Sequence, residues 1–142
     1  MGRSVETRNR RITSTRQGSV DWQDAMETFA LYAVLVEDEG AREILMDTSA
    51  AEILISQKEA PELARMFLRE TPDSLALAVV RPSQNADARF IEVFTAELQA
   101  AGRCVGLFDT PEEADAFLVA QRVEPRKDKA GGWLDGLKKL FG

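Results

Sequence analysis

Histidine is absent from the 142 residues, and cysteine occurs once, at Cys104. The first absence removes Ser–His and Cys–His nucleophile pairs and every His-ligated metal site. The second removes an internal disulfide framework and a thiolate zinc centre. None of the nine glycines falls into a Gly-x-Gly-x-x-Gly or phosphate-loop motif, so no nucleotide cofactor is implied. No apolar run approaches the roughly 20 residues of a membrane-spanning helix. Met1–Val5 opens without the apolar stretch of a secretory signal. The expectation is one cytoplasmic domain, with a lone thiol suited to a reducing compartment. With no nucleophile or acid–base constellation in view, the chain is expected to be non-enzymatic.

What is present is a core and an uneven charge. Apolar residues make up 44% of the chain and charged residues 30%, with a formal net charge of -6. Residues 1–17 hold five arginines against one glutamate. Residues 18–121 hold seven basic and twenty acidic side chains, and residues 122–142 six basic and three acidic. An acidic body between basic ends argues against nucleic acid as a partner, because phosphates need a basic surface.

Residues 4–8 and 11–16 are extended in character around an Asn9-Arg10 turn, which predicts a hairpin. Arginine dominates both strands and places them at a sheet edge. Trp22, Met26, Phe29, Ala33 and Val36 recur at helical spacing, with Asp21 or Ser19 as cap and Gly40 beyond the end. Ile44-Leu45-Met46 predicts a short strand ending at Asp47. Residues 48–56 are small and polar and read as a loop, within which Ile53-Leu54-Ile55 stays unassigned. A second helix is expected over 57–70, beginning near Ala60 because Pro61 fits only a first turn. Leu75–Val80, apolar on both faces, predicts a central strand covered on both sides. A third helix follows over 85–101, carrying Phe90, Phe94 and Leu98. Cys104–Phe108 reads as a strand with Cys104 as a buried apolar residue. Thr110-Pro111-Glu112-Glu113 is a capping box that starts a fourth helix, burying Ala114, Phe117 and Leu118.

Alternation of this kind predicts an α/β domain over residues 4–122, with crossover helices and a mixed, mostly parallel sheet. The acidic runs Glu37-Asp38-Glu39 and Glu112-Glu113-Asp115 are explained by a helix end and a cap, and no metal is expected. Arg81–Ala86 is expected to be a plain strand-to-helix loop.

The order of elements resembles STAS-like domains, and most closely the anti-anti-sigma-factor-like (SpoIIAA-like) group. The residues that carry the resemblance are Gly18, then Val20-Asp21-Trp22, then Ile44-Leu45-Met46-Asp47, and above all the stretch Leu75–Leu118 with Val105-Gly106-Leu107-Phe108-Asp109 and Thr110-Pro111-Glu112-Glu113-Ala114. The resemblance implies partner binding rather than chemistry. In the true anti-anti-sigma factors an Asp-Ser-Ser-Gly loop carries a phosphorylated serine. Here the segment after Asp47 is Thr48-Ser49-Ala50-Ala51 and, further on, Ile55-Ser56-Gln57, without that motif. Ser49 and Ser56 are the hydroxyls the resemblance leaves as candidates for modification. A small-molecule or lipid pocket in the body is a further alternative.

The last segment has a chemistry of its own. Val123–Gly132 is a charged linker with Pro125 and the Gly131-Gly132 joint. Beyond it, within the tail of residues 133–142, Trp133, Leu134, Leu137, Leu140 and Phe141 fall on one stripe of a helical wheel, with Asp135, Lys138 and Lys139 opposite. That composition is expected of an interfacial membrane helix that meets an anionic surface. A helix shorter than about 12 residues is marginal in water, so the pattern needs an apolar surface to form. The membrane, a groove on a protein partner and the chain's own domain are the three candidate surfaces. Self-association would strengthen a weak membrane contact.

Overall fold

The computed structural model describes residues 2–123. The linker and tail, including Trp133, Leu134, Leu137, Lys138, Lys139, Leu140 and Phe141, lie outside the described residues. Strands β1 (Gly2–Arg8) and β2 (Arg11–Val20) form an antiparallel hairpin with Arg8 opposite Arg11. Asn9 and Arg10 both take positive φ, 52° and 65°, the tight turn whose twist suits a two-residue hairpin loop. From β2 the chain enters α1 (Trp22–Glu39), β3 (Glu43–Ile53), a 3-10 turn (Gln57–Glu59) and α2 (Ala60–Glu70). It continues through β4 (Ala76–Val80), α3 (Asn85–Ala100), β5 (Val105–Phe108) and α4 (Pro111–Val123).

Sheet order is β1-β2-β3-β4-β5, and every pair after the hairpin is parallel. The expected α/β class and mixed sheet are therefore present. Only β1 is the arginine-bearing edge; β2, expected there too, lies inside the sheet between β1 and β3. The burial of Ile12, with no exposed surface, is the physical reason.

Two apolar layers flank the sheet. Helices α1, α2 and α3 cover one face, where Ile12, Ile44, Met46, Leu77, Val79 and Val105 meet Phe29, Tyr32, Phe67 and Phe94. Helix α4 returns across the other face and packs Ala114 and Leu118 on Leu45, Ala76, Ala78 and Val80. The apolar run of β4 is thus buried on both sides, as its composition predicts.

Two local expectations are corrected. Strand β3 does not stop at Asp47 but runs on to Ile53. Its pairing with β2 shifts at this point: Thr15 faces Asp47, but Gln17 faces Ala50. Thr48 and Ser49 form a bulge opposite Arg16, and a bulge of small polar residues looks locally like a loop. The second correction is one member of the α1 stripe. Phe29 is buried and Trp22 and Val36 pack on the core as expected, but Met26 is 41% exposed, and Ala25 and Tyr32 are buried instead. The helix starts on a full capping box: the Asp21 carboxylate accepts from the Asp24 N–H at 2.9 Å, and the Asp24 carboxylate from the Asp21 N–H at 3.0 Å. For α4 the Thr110 half of the expected box is present, and only the reciprocal half is displaced by one residue. Thr110 Oγ1 accepts from the Glu113 N–H, while Glu113 Oε1 accepts from the Asp109 N–H. Cys104 is half-buried, not fully so, with its Sγ 3.2 Å from Gln121 Oε1.

Arg103 closes the C-terminal end of α2. Its guanidinium donates to Thr71 O at 2.7 Å, Leu68 O at 3.1 Å and Thr71 Oγ1 at 3.1 Å, and stands 5.9 Å from the Phe67 ring centroid. Arg103→Ala strands two carbonyls in a buried site, and the expected loss is about 3 kcal/mol of unfolding free energy in a urea titration. Arg103→Lys is expected to recover only part, because an ammonium cannot reproduce the planar fork.

Candidate functional site

In parallel α/β sheets ligands and partners collect at the carboxyl ends of the strands, where the crossover loops converge. In this chain that edge carries the end of β3, the 3-10 turn, the Arg81–Gln84 loop and the start of α3. Two surface clefts lie there. One is lined by the bulged end of β3 from Ser49 to Ile53 and by Ser83–Asp87. The other is lined by Ile53, Ile55, Gln57 and residues Asn85 to Phe90 of α3. The N-terminus of α3 has no side-chain cap from Gln84.

The two candidate serines both stand in this crossover, but in different chemical states. Ser49 belongs to the bulge; its N–H and its hydroxyl both donate to Asp47 Oδ1, at 3.0 and 2.7 Å. A phosphate there would face a carboxylate at hydrogen-bond distance, a like-charge contact. Ser56 occupies the N-cap position of the 3-10 turn, makes no side-chain cap hydrogen bond, and is exposed. Beside it Leu54 is 57% exposed, the most exposed large apolar residue described. The Leu54 N–H donates to Val20 O at 2.8 Å, which ties this loop to the end of β2. Strand β3, ending at Ile53, therefore delivers its hydroxyl-bearing loop six residues later than a strand ending at Asp47 implies.

At the opposite edge of the sheet, where α4 ends, an ion-pair network holds the helix to the strands. Glu43 at the start of β3 is 5% exposed. Its Oε2 accepts from Arg11 Nε at 2.8 Å and from Arg122 Nη2 at 2.6 Å, and its Oε1 from Arg122 Nε at 3.1 Å. Arg11 also reaches Asp115 on α4 at 2.7 Å. Burial alone would raise the Glu43 carboxyl, but the hydrogen bonds from Arg122 and Arg11 outweigh it and hold it below the ordinary carboxylate range. Next to the network is a cleft lined by Asn9, Arg10, Arg42, Ser74, Gln121 and Arg122. Arg10 and Arg42 form no ion pair among the described residues. Nothing in the local sequence pattern signals this cluster, because its members are 32 and 79 residues apart.

Among the described residues no group of three or more His, Cys, Asp or Glu side chains is placed to hold a metal ion. No helix among them is long and apolar enough to cross a membrane.

No protein-family model matches the chain, and no curated protein matches it by sequence. Solved structures do. The chain is similar to the anti-sigma factor antagonist SpoIIAA in its unphosphorylated form, with a TM-score of 0.56 and 15% identity over 84% of this chain and 98% of that one. It is similar to an anti-sigma factor antagonist from Mycobacterium paratuberculosis, with a TM-score of 0.56 and 18% identity over 84% and 92% of the two chains. At these identities the likeness is one of fold. The five-stranded, mostly parallel sheet with its four helices is the STAS fold, as the resemblance implied.

Proposed function

We propose that this STAS-fold chain is a non-enzymatic regulatory module that binds a protein partner and is held at the cytoplasmic face of the membrane by residues 133–141. The observation that carries the first half is the likeness, over 84% of the chain, to two structures named as antagonists of anti-sigma factors. An antagonist of a protein acts by contact. The surface we assign to that contact is the crossover edge that carries Ser49, Leu54 and Ser56. Ser56, exposed and uncapped, is the hydroxyl suited to switch the contact by modification; Ser49 is already engaged by Asp47. One of the similar structures is described as an unphosphorylated form, in keeping with control of this kind.

The membrane half rests on the sequence of the tail and on the ground it departs from. Helix α4 ends at Val123, beside the cleft lined by Arg10, Arg42 and Arg122. Basic residues near an anionic leaflet contribute about 1 kcal/mol each. The acidic end of α1, Glu37-Asp38-Glu39, lies at the same edge of the sheet and opposes part of that attraction. A soluble module whose tail enters a groove on a partner is the alternative.

The test is co-sedimentation of the full chain with vesicles. Binding is expected to vesicles rich in anionic lipid, to weaken as salt is raised, and to fall by at least about tenfold for the double variant Leu137→Asp, Leu140→Asp. Equal binding by the native chain and the variant contradicts the membrane assignment.

A further inference from the structure

Beneath α1 and α3, on the face of the sheet opposite α4, lies a cavity of about 70 Å³. Its inner wall is Ala25, Phe29, Met46, Ile55, Leu63 and Ile91, with Phe90 and Phe94 beside them. The hydroxyls in this wall are already committed. Tyr32 donates to Ser14 Oγ at 2.8 Å, Thr48 donates to Val80 O at 2.6 Å, and Thr28 donates to Asp24 O at 2.9 Å. A water inside would find few partners, and a cavity of that kind is dry and receptive to an apolar group.

The more exposed part of the lining is of a different nature. Arg3 on β1 and Arg16 on β2 are directly opposed across the hairpin and line the same cavity. Like charges so placed repel. Arg16 Nη2 has one carboxylate, Asp24, at 3.2 Å and the Ser19 carbonyl at 2.9 Å, while its Nε is buried without a hydrogen-bond partner. Arg3 donates only to the neutral Thr28 hydroxyl, at 3.1 Å. Two guanidiniums and one carboxylate leave a single positive charge beside an apolar hole.

We infer that this cavity is a binding site for a short-chain aliphatic carboxylate, with a chain of about four carbons between α1, α3 and the sheet and its carboxylate at the Arg3 and Arg16 guanidiniums. The second negative charge relieves the opposed arginines, and the chain fills a dry space. The site is separate from the tail and from the Ser56 edge, so its failure and theirs are distinguishable.

The test titrates the full chain with pentanoate and with pentanol, followed by calorimetry and by NMR of the methyl groups. Pentanoate is expected to bind one-to-one, shifting Ala25, Met46, Ile55, Leu63 and Ile91, and to bind about tenfold more tightly than pentanol, equivalent to about 1.4 kcal/mol. The double variant Arg3→Gln, Arg16→Gln is expected to bring pentanoate down to the pentanol affinity and to leave pentanol unchanged. Ala25→Leu, which narrows the cavity, is expected to weaken both ligands; if it does not fold, the arginine variant decides alone. The tail variant Leu137→Asp, Leu140→Asp is expected to bind pentanoate like the native chain. No saturable binding, equal affinity for acid and alcohol, loss with the tail variant, or shifts away from the cavity methyls would each overturn the assignment.

Discussion

Glu43→Gln is expected to lower the free energy of unfolding by about 3 kcal/mol at neutral pH, the scale for removing one partner of a buried ion pair. The carboxylate is the hub that joins β2, β3 and α4, and its loss leaves the largely buried Arg11 facing a neutral amide, while Arg122, half exposed, can turn to water. The pH dependence follows from the direction of the shift. The folded carboxyl titrates below its unfolded value, so its contribution is complete above the usual glutamate range near 4.5. It is lost as the pH falls through the folded value. Urea titrations of the native chain and the variant are therefore expected to differ most at neutral pH and to converge in acid. A gap that persists unchanged into acid would mean that packing, not charge, is what the substitution removes.

Phe94→Ala is expected to cost about 4 kcal/mol, the scale for emptying a buried aromatic site. Phe94 is 2% exposed and sits against two other rings. Its centroid is 6.0 Å from Phe29 in a stacked arrangement and 6.0 Å from Phe67 edge-on, while Phe29 and Phe67 meet at 5.2 Å. The site cannot collapse easily, because Phe94 already borders a cavity on its other side. Val34→Ala, on the exposed side of α1 at 51% exposure, provides the contrast and is expected to stay within about 0.5 kcal/mol. Against a total of about 5–15 kcal/mol for an ordinary domain, the Phe94 variant retains only a small margin.

The elements that were legible in the sequence are those whose signal is local. The apolar run of β4, the Phe90-Phe94-Leu98 stripe of α3, the Pro61 start of α2 and the Asn9-Arg10 turn each carry their physics within a few residues. The second half of β3 was not legible, because Thr48-Ser49-Ala50-Ala51 has no apolar alternation and only one β-branched residue, Thr48. It is held as a strand by its pairing with Gln17–Val20 of β2, a contact across more than thirty residues. Met26 of α1 was misplaced for a related reason, although Trp22, Phe29 and Val36 of the same stripe do lie on the core. Met26 and Tyr32 both suit a core, and only the docked position of the helix decides that Tyr32 is inside and Met26 outside. The candidate edge was half legible: the serines were found, but Ser56 rather than Ser49 emerged as the open hydroxyl only once the bulge placed Ser49 on Asp47. The Glu43 network and the apolar cavity were invisible, since both are made by residues that meet only after the sheet is assembled.

A permuted tail tests the account's central claim most directly. Exchanging Trp133, Leu134, Leu137, Leu140 and Phe141 among their own five positions keeps the apolar stripe, the lysines and the charge, but destroys any specific side-chain order. A lipid surface reads the stripe, whereas a protein groove reads the order. Sedimentation of the full permuted chain with anionic vesicles is expected to match that of the native chain, within about twofold at each salt concentration. Native binding that the permutation abolishes, or no vesicle binding by either chain, would contradict the membrane assignment and make the tail a ligand for a protein.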